Sequence, residues 1–464
     1  MSCASVWQQC GGKGFSGPFC CDVTSVCTVS NEYYSQCLPK PVNPVTTVSP
    51  PLTTQVVVTT LGPKPTSSPV PCQPGVGSSD QCGDGSFNPY KGATGFINPE
   101  YIKAVEGSLK PGSPLAPAVD AFKKISTAIW IDTIENISRI APALKAASKQ
   151  ASKENPVVIQ FVVYDLPGRD CAALASNGEI KRGDLNRYKT DYIDAIRKTL
   201  ISNADPNVRV SLIIEPDSLP NLATNLQTFP ETCGKATPDY EGGVAYALAQ
   251  LTLPNVYQYI DCAHGGWLGW EDNQSKMIPI FKRVIEAAKS LNPNVKVTGF
   301  ISNVSNYSPV FAKGIAPAKE QPLQNNNGVL TYQGNACIDE STFTSQLSAK
   351  FSKAGLPSRF LIDTSRNGQA GIRTRWGSWC NIKGSGIGPR PEVDPLPAID
   401  AFVWVKPPGE SDGVSGPPGA PRLDGFCDPT TSMGVDSLAN APQAGQWFED
   451  EFLMLVKNAN PPLF

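Results

Sequence analysis

The stretch Val208-Arg209-Val210-Ser211-Leu212-Ile213-Ile214 is almost continuously branched and apolar, and it stops at Glu215-Pro216-Asp217. A strand with one wet face alternates polar and apolar residues. A near-continuous run instead has both faces buried, as in a parallel sheet covered on each side. Six more runs share this character and end in polar residues: Ser126 to Ile131, Val157 to Tyr164, Val256 to Ile260, Val295 to Phe300, Arg359 to Ile362 and Ala401 to Val405. Helical patterns at 137–151, 185–203, 277–291 and 340–354 lie between several of them. Strand followed by helix, repeated, gives an α/β architecture, and seven such units predict a parallel β/α barrel.

Barrels of this kind gather their chemistry where strands end and loops begin. Here the strand ends read Tyr164-Asp165-Leu166-Pro167-Gly168-Arg169-Asp170, Glu215-Pro216-Asp217, Asp261-Cys262-Ala263-His264, Asn303, Asp363 and Lys406 through Asp412. Carboxylates are therefore expected to converge on one rim.

The whole chain sets wider bounds. Its 464 residues suit two or three domains, since barrels often exceed 250 residues as one unit. Charged residues are 17% and the net charge is −2, so no broad positive field exists to hold a nucleic acid by counterion release. No apolar run reaches the roughly 20 residues needed to span a bilayer, and the N-terminus lacks a basic-then-apolar signal segment. A soluble chain whose secretion signal has been removed is expected.

Fourteen cysteines are many for a cytosolic enzyme. Cys3, Cys10, Cys20, Cys21, Cys27 and Cys37 crowd the first 37 residues, where a core alone is too small to hold a fold. Disulfides and an oxidising compartment follow. Zinc is a poor alternative, because the spacing offers no paired Cys-x-x-Cys and the single histidine is distant. Residues 1–38 read as a small Gly- and Cys-rich module. From Pro39 to Pro71 the composition turns to proline, threonine, valine and serine, a linker whose hydroxyls are candidates for O-glycosylation. Residues 39–84 are assigned as linker and lead-in, and 85–464 as the barrel domain.

One histidine removes most rim chemistries: a Ser-His-Asp hydrolase has only His264 available, and a His-rich metal site is impossible. No metal or cofactor is expected. Paired carboxylates remain, and glycoside hydrolysis needs a protonated acid for the leaving oxygen with a base or nucleophile across the sugar. Trp130, Trp267, Trp270, Trp376 and Trp379 lie at or just beyond predicted strand ends, where flat rings suit sugar stacking. Asp217 ends a buried-looking run, and desolvation there raises a carboxyl pKa. Glu215, two residues earlier, is either its buried partner or the acid itself. The local sequence leaves that choice open.

Several segments in order resemble fungal cellobiohydrolases of glycoside hydrolase family six: Tyr164-Asp165-Leu166-Pro167-Gly168-Arg169-Asp170-Cys171, Ile214-Glu215-Pro216-Asp217-Ser218-Leu219, Gly266-Trp267-Leu268-Gly269-Trp270, Trp376-Gly377-Ser378-Trp379-Cys380 and Val403-Trp404-Val405-Lys406-Pro407. The resemblance runs from about residue 86 to the C-terminus. It implies a distorted seven-stranded barrel with a tunnel, releasing cellobiose from the non-reducing end of cellulose with inversion. It also implies Asp217 as general acid, Asp170 as the residue supporting the acid's pKa and the developing charge, and Tyr164 and Ser176 beside the distorted ring. Asp412 matches the proposed base, a role contested within the family. By the same matching Trp130 and Trp379 stack sugars on the non-reducing side and Trp267 and Trp270 on the leaving-group side. His264, Asn303, Lys406 and Glu410 then supply hydrogen bonds.

Two long loops, 171 to 186 and 406 to 427, distinguish an exo-acting tunnel from an open endo-acting cleft. Both are present, and the resemblance implies disulfides Cys171–Cys233 and Cys380–Cys427 that pin them. The first 38 residues resemble the smallest fungal cellulose-binding modules. That implies a flat face of Trp7, Tyr33 and Tyr34 and disulfides Cys3–Cys20, Cys10–Cys27 and Cys21–Cys37. The implied partners are cellulose and cello-oligosaccharides, handled by a secreted, extracellular monomer. Two departures stand out: Gly168 replaces a usual aspartate, and Cys262-Ala263 replaces Ala-Gly before the histidine. Cys262 with Cys337 and Cys72 with Cys82 are candidate further pairs. Sequons occur at Asn136, Asn273, Asn303 and Asn306. An endo-acting glucanase of the same family and a non-catalytic cellulose-binding protein are the rival readings.

Overall fold

The computed structural model describes residues 87–464, together with 3, 9–11, 13, 17–21, 23, 25–31 and 34–39, with the backbone alone at 9, 25, 28–31 and 34–39. The chain divides into two compact units, Met1–Pro71 and Cys72–Phe464. Apart from Pro39, the expected linker and lead-in lie outside the described residues, as do Cys72 and Cys82.

In the first unit, strands Gln9–Gly11, Tyr34–Pro39 and Ser25–Asn31 form an antiparallel sheet in that spatial order, with Cys27 opposite Cys37. Disulfides join Cys3 to Cys20 and Cys10 to Cys27. Cys21 is also disulfide-bonded, but the Cys37 side chain expected to meet it lies outside the described residues. Trp7 and Tyr33 also fall outside them. Tyr34 contributes a described backbone only.

In the second unit seven parallel strands form the staves of a barrel: β1 (Ile129–Ile131), β2 (Val157–Val163), β3 (Val208–Ile214), β4 (Val256–Asp261), β5 (Gly299–Ser302), β6 (Phe360–Asp363) and β7 (Ile399–Val403). Each pairs with its neighbour from β1 through β7. Between β7 and β1 the ladder thins to one backbone bond, Ala128 N–H to Trp404 O at 3.1 Å. The ring is thus closed but distorted at that seam. Two short strands join the sheet: Thr94–Gly95, parallel to β2, and Glu392–Val393, antiparallel to β7.

Both strand faces are buried, as the near-continuous apolar runs predict. One face meets inside the ring, where Val158, Val162, Ile213, Tyr259, Ile301, Leu361, Ala401 and Val403 pack together with Tyr90. The other, including Ile159, Phe161, Leu212, Ile214, Phe300 and Ile362, packs beneath the helices. These are α1 (Ile140–Gln150), α2 (Asp194–Ser202), α3 (Lys235–Gln250), α4 (Glu271–Leu291), α5 (Glu340–Ala354) and α6 (Glu449–Lys457). No helix intervenes between β6 and β7, and long loops fill that stretch instead.

Two expectations are corrected. The run at Val295 to Phe300 forms its strand later, at Gly299–Ser302; Val295 and Val297 are core residues on the approach. Cys262 and Cys337 do not pair. Both are buried free thiols, with Cys262 Sγ 3.1 Å from Ile301 O and Cys337 Sγ 3.3 Å from Gln346 Oε1.

Candidate active site

The strand ends leave the ring through an unusual backbone. Asp170, Glu215, Asp217, Ala263 and Asn303 all have positive φ, between 48° and 69°. Non-glycine residues there cost on the order of 1–3 kcal/mol each and persist where the surroundings enforce them, commonly at functional sites. The enforcement is visible at Asp217, whose N–H donates to Asp261 Oδ1 at 2.9 Å while its own carbonyl accepts from Asn221 N at 3.1 Å. Asp261 also accepts from Ala263 N at 2.9 Å. This buried carboxyl therefore holds the turns of two neighbouring strands.

Geometry separates Glu215 from Asp217. Glu215 is 1% exposed and bound by Tyr188 Oη at 2.8 Å and by the N–H groups of Asp165 and Leu166. It is a scaffold residue beneath the β2 turn. Asp217 faces a cleft of about 880 Å³ over the strand ends. Burial pushes its carboxyl up to about 7; a hydrogen bond from Ser305 opposes this, and the charges of Asp170 and Asp412 add to it. Asp217 can thus carry a proton at mildly acidic pH.

Asp170 and Ser176 are tied together. Ser176 N and Oγ lie 2.9 and 3.1 Å from Asp170 Oδ2, and Ser176 Oγ is 3.1 Å from Tyr164 Oη. Burial raises the Asp170 carboxyl despite these bonds.

Asp412 is the opposite case. Burial would raise it, yet Arg366 at 2.7 Å, Lys406 at 3.8 Å, Tyr307 Oη at 2.6 Å and Asn381 N at 3.0 Å hold it below the usual carboxylate range. The two carboxyls are driven apart, one towards the acid and one towards the anion. Such a pair matches the division of labour in glycoside hydrolysis.

His264 is buried, and its imidazole is pushed down to about 3 by burial and by Arg373. Asn306 Oδ1 already accepts from Arg373 and from Tyr307 N, so its Nδ2 faces His264 Nε2 at 2.9 Å. Nε2 accepts, and the ring is neutral with its proton on Nδ1.

The tryptophan N–H groups are committed elsewhere. Trp130 donates to Val405 O at 2.9 Å, Trp267 to Thr224 Oγ1 at 2.8 Å and Trp270 to Gln333 O at 3.0 Å. Trp130 stands edge-on to Tyr164 with Lys406 Nζ 5.5 Å from its ring centroid, and Trp379 lies 6.1 Å from Phe426. With polar tips fixed, rings at a cleft wall can offer apolar faces.

Trp130, Tyr164, Asp170, Ser176, Asp217, His264, Trp267, Trp270, Trp376, Trp379, Lys406, Glu410 and Asp412 all line the cleft. Asn303 does not. It is 2% exposed, donates to Ser308 O and Asp363 O at 3.0 and 2.9 Å, and accepts from Ser308 N. Asn306 reaches the cleft in its place. Asp165, Asp261 and Asp363 are likewise buried scaffold carboxyls rather than rim groups. Arg366, Ser305, Asn306 and Tyr307 escaped the sequence reading, although they continue directly from the ends of β5 and β6.

The two long loops meet. Leu174 N donates to Asp424 Oδ2 at 2.9 Å, Arg422 Nη1 lies 3.5 Å from Asn177 O, and Ala175 packs on the Cys380–Cys427 disulfide. A Cys171–Cys233 disulfide anchors the first loop to the segment before α3.

The profile of glycosyl hydrolases family 6 matches residues 90–459, and that of the fungal cellulose binding domain matches residues 6–34. Exoglucanase 3 of Agaricus bisporus is 39% identical over 463 residues, covering 99% of this chain and 95% of that protein. Exoglucanase 2 of Hypocrea jecorina is 38% identical, covering 99% and 94%. Cellobiohydrolase II of Humicola insolens, solved with glucose and cellotetraose, superposes with a TM-score of 0.70 at 35% identity, over 81% of this chain and 100% of that one.

Proposed function

Because the chain belongs to the glycosyl hydrolases of family 6, we propose that it is an exo-acting cellulase that hydrolyses β-1,4-glucosidic bonds from the non-reducing end, with inversion, releasing cellobiose. The contact between the two loops beside a cleft lined by carboxyls and tryptophans carries this reading. A strapped roof admits a chain end more readily than a chain middle.

In this reading Asp217 gives its proton to the leaving glycosidic oxygen as the bond to the anomeric carbon breaks. A water attacks the opposite face, forming the new C–O bond, and its proton passes towards Asp412. Asp412 is a stable anion and hence a weak base, so its main contribution is to favour positive charge developing nearby. Asp170 supports that charge and the acid's elevated pKa, and Tyr164 and Ser176 border the reacting sugar. Trp130 and Trp379 hold glucose units on the non-reducing side, and Trp267 and Trp270 hold the leaving group. His264, Lys406 and Glu410 supply hydrogen bonds. Trp7, Tyr33 and Tyr34 of the N-terminal module bind the cellulose surface. The protein acts outside the cell as a monomer.

Proton NMR of the products from cellohexaose tests the mechanism. Early α-cellobiose is expected, with the rate falling about 10²- to 10⁴-fold in Asp217→Ala. Early β-product, or an unimpaired variant, refutes the assignment.

A further inference from the structure

A hairpin wall stands outside the residues assigned so far. Strands Gln324–Asn326 and Val329–Thr331 pair antiparallel and lead into a tight turn in which Tyr332 and Asn335 exchange backbone hydrogen bonds of 2.8 and 2.9 Å. Both central residues are left-handed, Gln333 at φ 51° and Gly334 at φ 80°. Such turns favour asparagine or glycine, so glutamine there is a strained choice. The carbonyl of that strained residue accepts the indole N–H of Trp270.

The residue before it braces a second indole. Tyr332 is fully buried and stacks on Trp376 with centroids 4.3 Å apart and planes 13° from parallel. Glu320 Oε1 ties the pair, accepting from Tyr332 Oη at 3.0 Å and from Trp376 N at 2.9 Å. Trp376 in turn meets Trp270 at 5.5 Å and 76°, and both line the cleft. Asn335 Nδ2 fixes the turn to Gly265 O at 2.7 Å, beside His264. One short turn therefore sets the orientation of two perpendicular indoles at the same wall.

We propose that Trp376 and Trp270 together form an outer glucan-binding subsite on the leaving-group side, with Tyr332 as its positioning residue. This rests on the reading of Trp270 as a sugar platform given above. The subsite takes a β-1,4-linked glucose unit beyond those next to the cleaved bond, so it matters for long chains only. An aromatic pair contributes about 0.5–1.5 kcal/mol beyond burial, which corresponds to roughly a two- to tenfold change in affinity.

The test compares KM and kcat on cellotetraose and cellohexaose for Trp270→Ala, Trp376→Ala, Tyr332→Ala and Tyr332→Phe in the full chain. Trp376→Ala and Tyr332→Ala are expected to raise KM for cellohexaose by roughly two- to tenfold at unchanged kcat, and to leave cellotetraose unaffected. Tyr332→Phe, which keeps the stack, is expected to behave like the parent. A purely structural role moves both substrates together. If Trp270→Ala is length-selective while Trp376→Ala is silent or changes both substrates equally, this proposal is overturned and the proposed function stands. If Trp270→Ala is itself not length-selective, the sugar-platform reading falls and the subsite with it. Because Trp376 is partly exposed, its variant decides the matter even if Tyr332→Ala does not fold.

Discussion

Leu174 N–H donates to Asp424 Oδ2 at 2.9 Å, across a sequence separation of 250 residues, and so joins the loop after β2 to the loop after β7. Each loop is pinned at its base by a disulfide, but this bond joins their outer parts. A hydrogen bond to a carboxylate contributes about 1.5–3 kcal/mol, enough to change an open population by roughly ten- to hundredfold. Asp424→Ala should therefore give the cleft endo-acting character. In that variant the viscosity of a soluble cellulose derivative is expected to fall severalfold faster per reducing sugar released, with cellohexaose turnover changed little. An unchanged ratio would mean that the strap does not govern chain access.

The acid and the anion set opposite limits on activity. Asp217 must be protonated, so kcat/KM should fall about tenfold per pH unit as pH rises through about 7. Asp412 must be ionised, and its depressed pKa puts the acidic limb below the usual carboxylate range. Among the causes of the Asp217 shift, burial comes first and the negative charge of Asp170 adds to it. Asp170→Asn removes that charge, so the alkaline limb should move to lower pH as the rate itself drops. A limb that stays put would show that burial alone sets the acid.

Most of this arrangement is legible in the sequence because a strand buried on both faces cannot hide its composition. Six of the seven runs fall on their strands to within a few residues. The run at Val295 misleads because its valines pack before the strand begins. The strand starts only at Gly299, where a Cβ would sit 2.3 Å from Arg359 O. Helix α3 goes unnoticed because Pro238, Gly242 and Gly243 interrupt its pattern. Gly243 is required there, since a Cβ would lie 2.3 Å from Leu166 Cδ2. At the site, residue types alone left Glu215 and Asp217 equivalent. Tyr188, which binds Glu215 from 27 residues away, is the long-range contact that separates them. Asn303 was misread because strand-end position does not reveal which way an amide turns.

Buried carboxyls also shape stability. Glu451 on α6 is fully buried; its Oε1 lies 3.0 Å from Tyr307 Oη, and its Oε2 has no hydrogen-bond partner among the described residues. Burial pushes it from 4.5 to about 7, with the nearby Asp412 charge adding to the rise. An acid raised on folding contributes stability that is fully present below its unfolded pKa and lost as pH climbs through the folded value. The loss is about 1.4 kcal/mol per pH unit per group within that window. Glu215, raised to about 7, and Glu340, raised to about 8, act in the same direction. The Tm should therefore fall between pH 5 and pH 8, and Glu451→Gln, which cannot ionise, should lose less over that interval. Parallel Tm curves for parent and variant would show that Glu451 is ionised throughout.

Arg366 makes the complementary case, a buried cation that exists for one anion. Its side chain is 1% exposed; Nη1 donates to Asp412 Oδ1 at 2.7 Å and to Tyr307 Oη at 2.8 Å, and Nη2 donates to Val304 O at 3.2 Å. Replacing it with methionine keeps the volume but leaves Asp412 with Lys406, 3.8 Å away, as its remaining cation among the described residues. Breaking a buried pair by removing one partner typically costs about 3–5 kcal/mol, because the other charge is left uncompensated. Arg366→Met is therefore expected to lower the Tm clearly. It should also raise the Asp412 pKa, moving the acidic limb of kcat/KM to higher pH while the alkaline limb stays near 7. Arg366→Lys retains the charge without the fork, so it should recover much of the acidic limb and less of the stability. A variant that loses stability with an unshifted acidic limb would place the ionisation of Asp412 outside the control of Arg366.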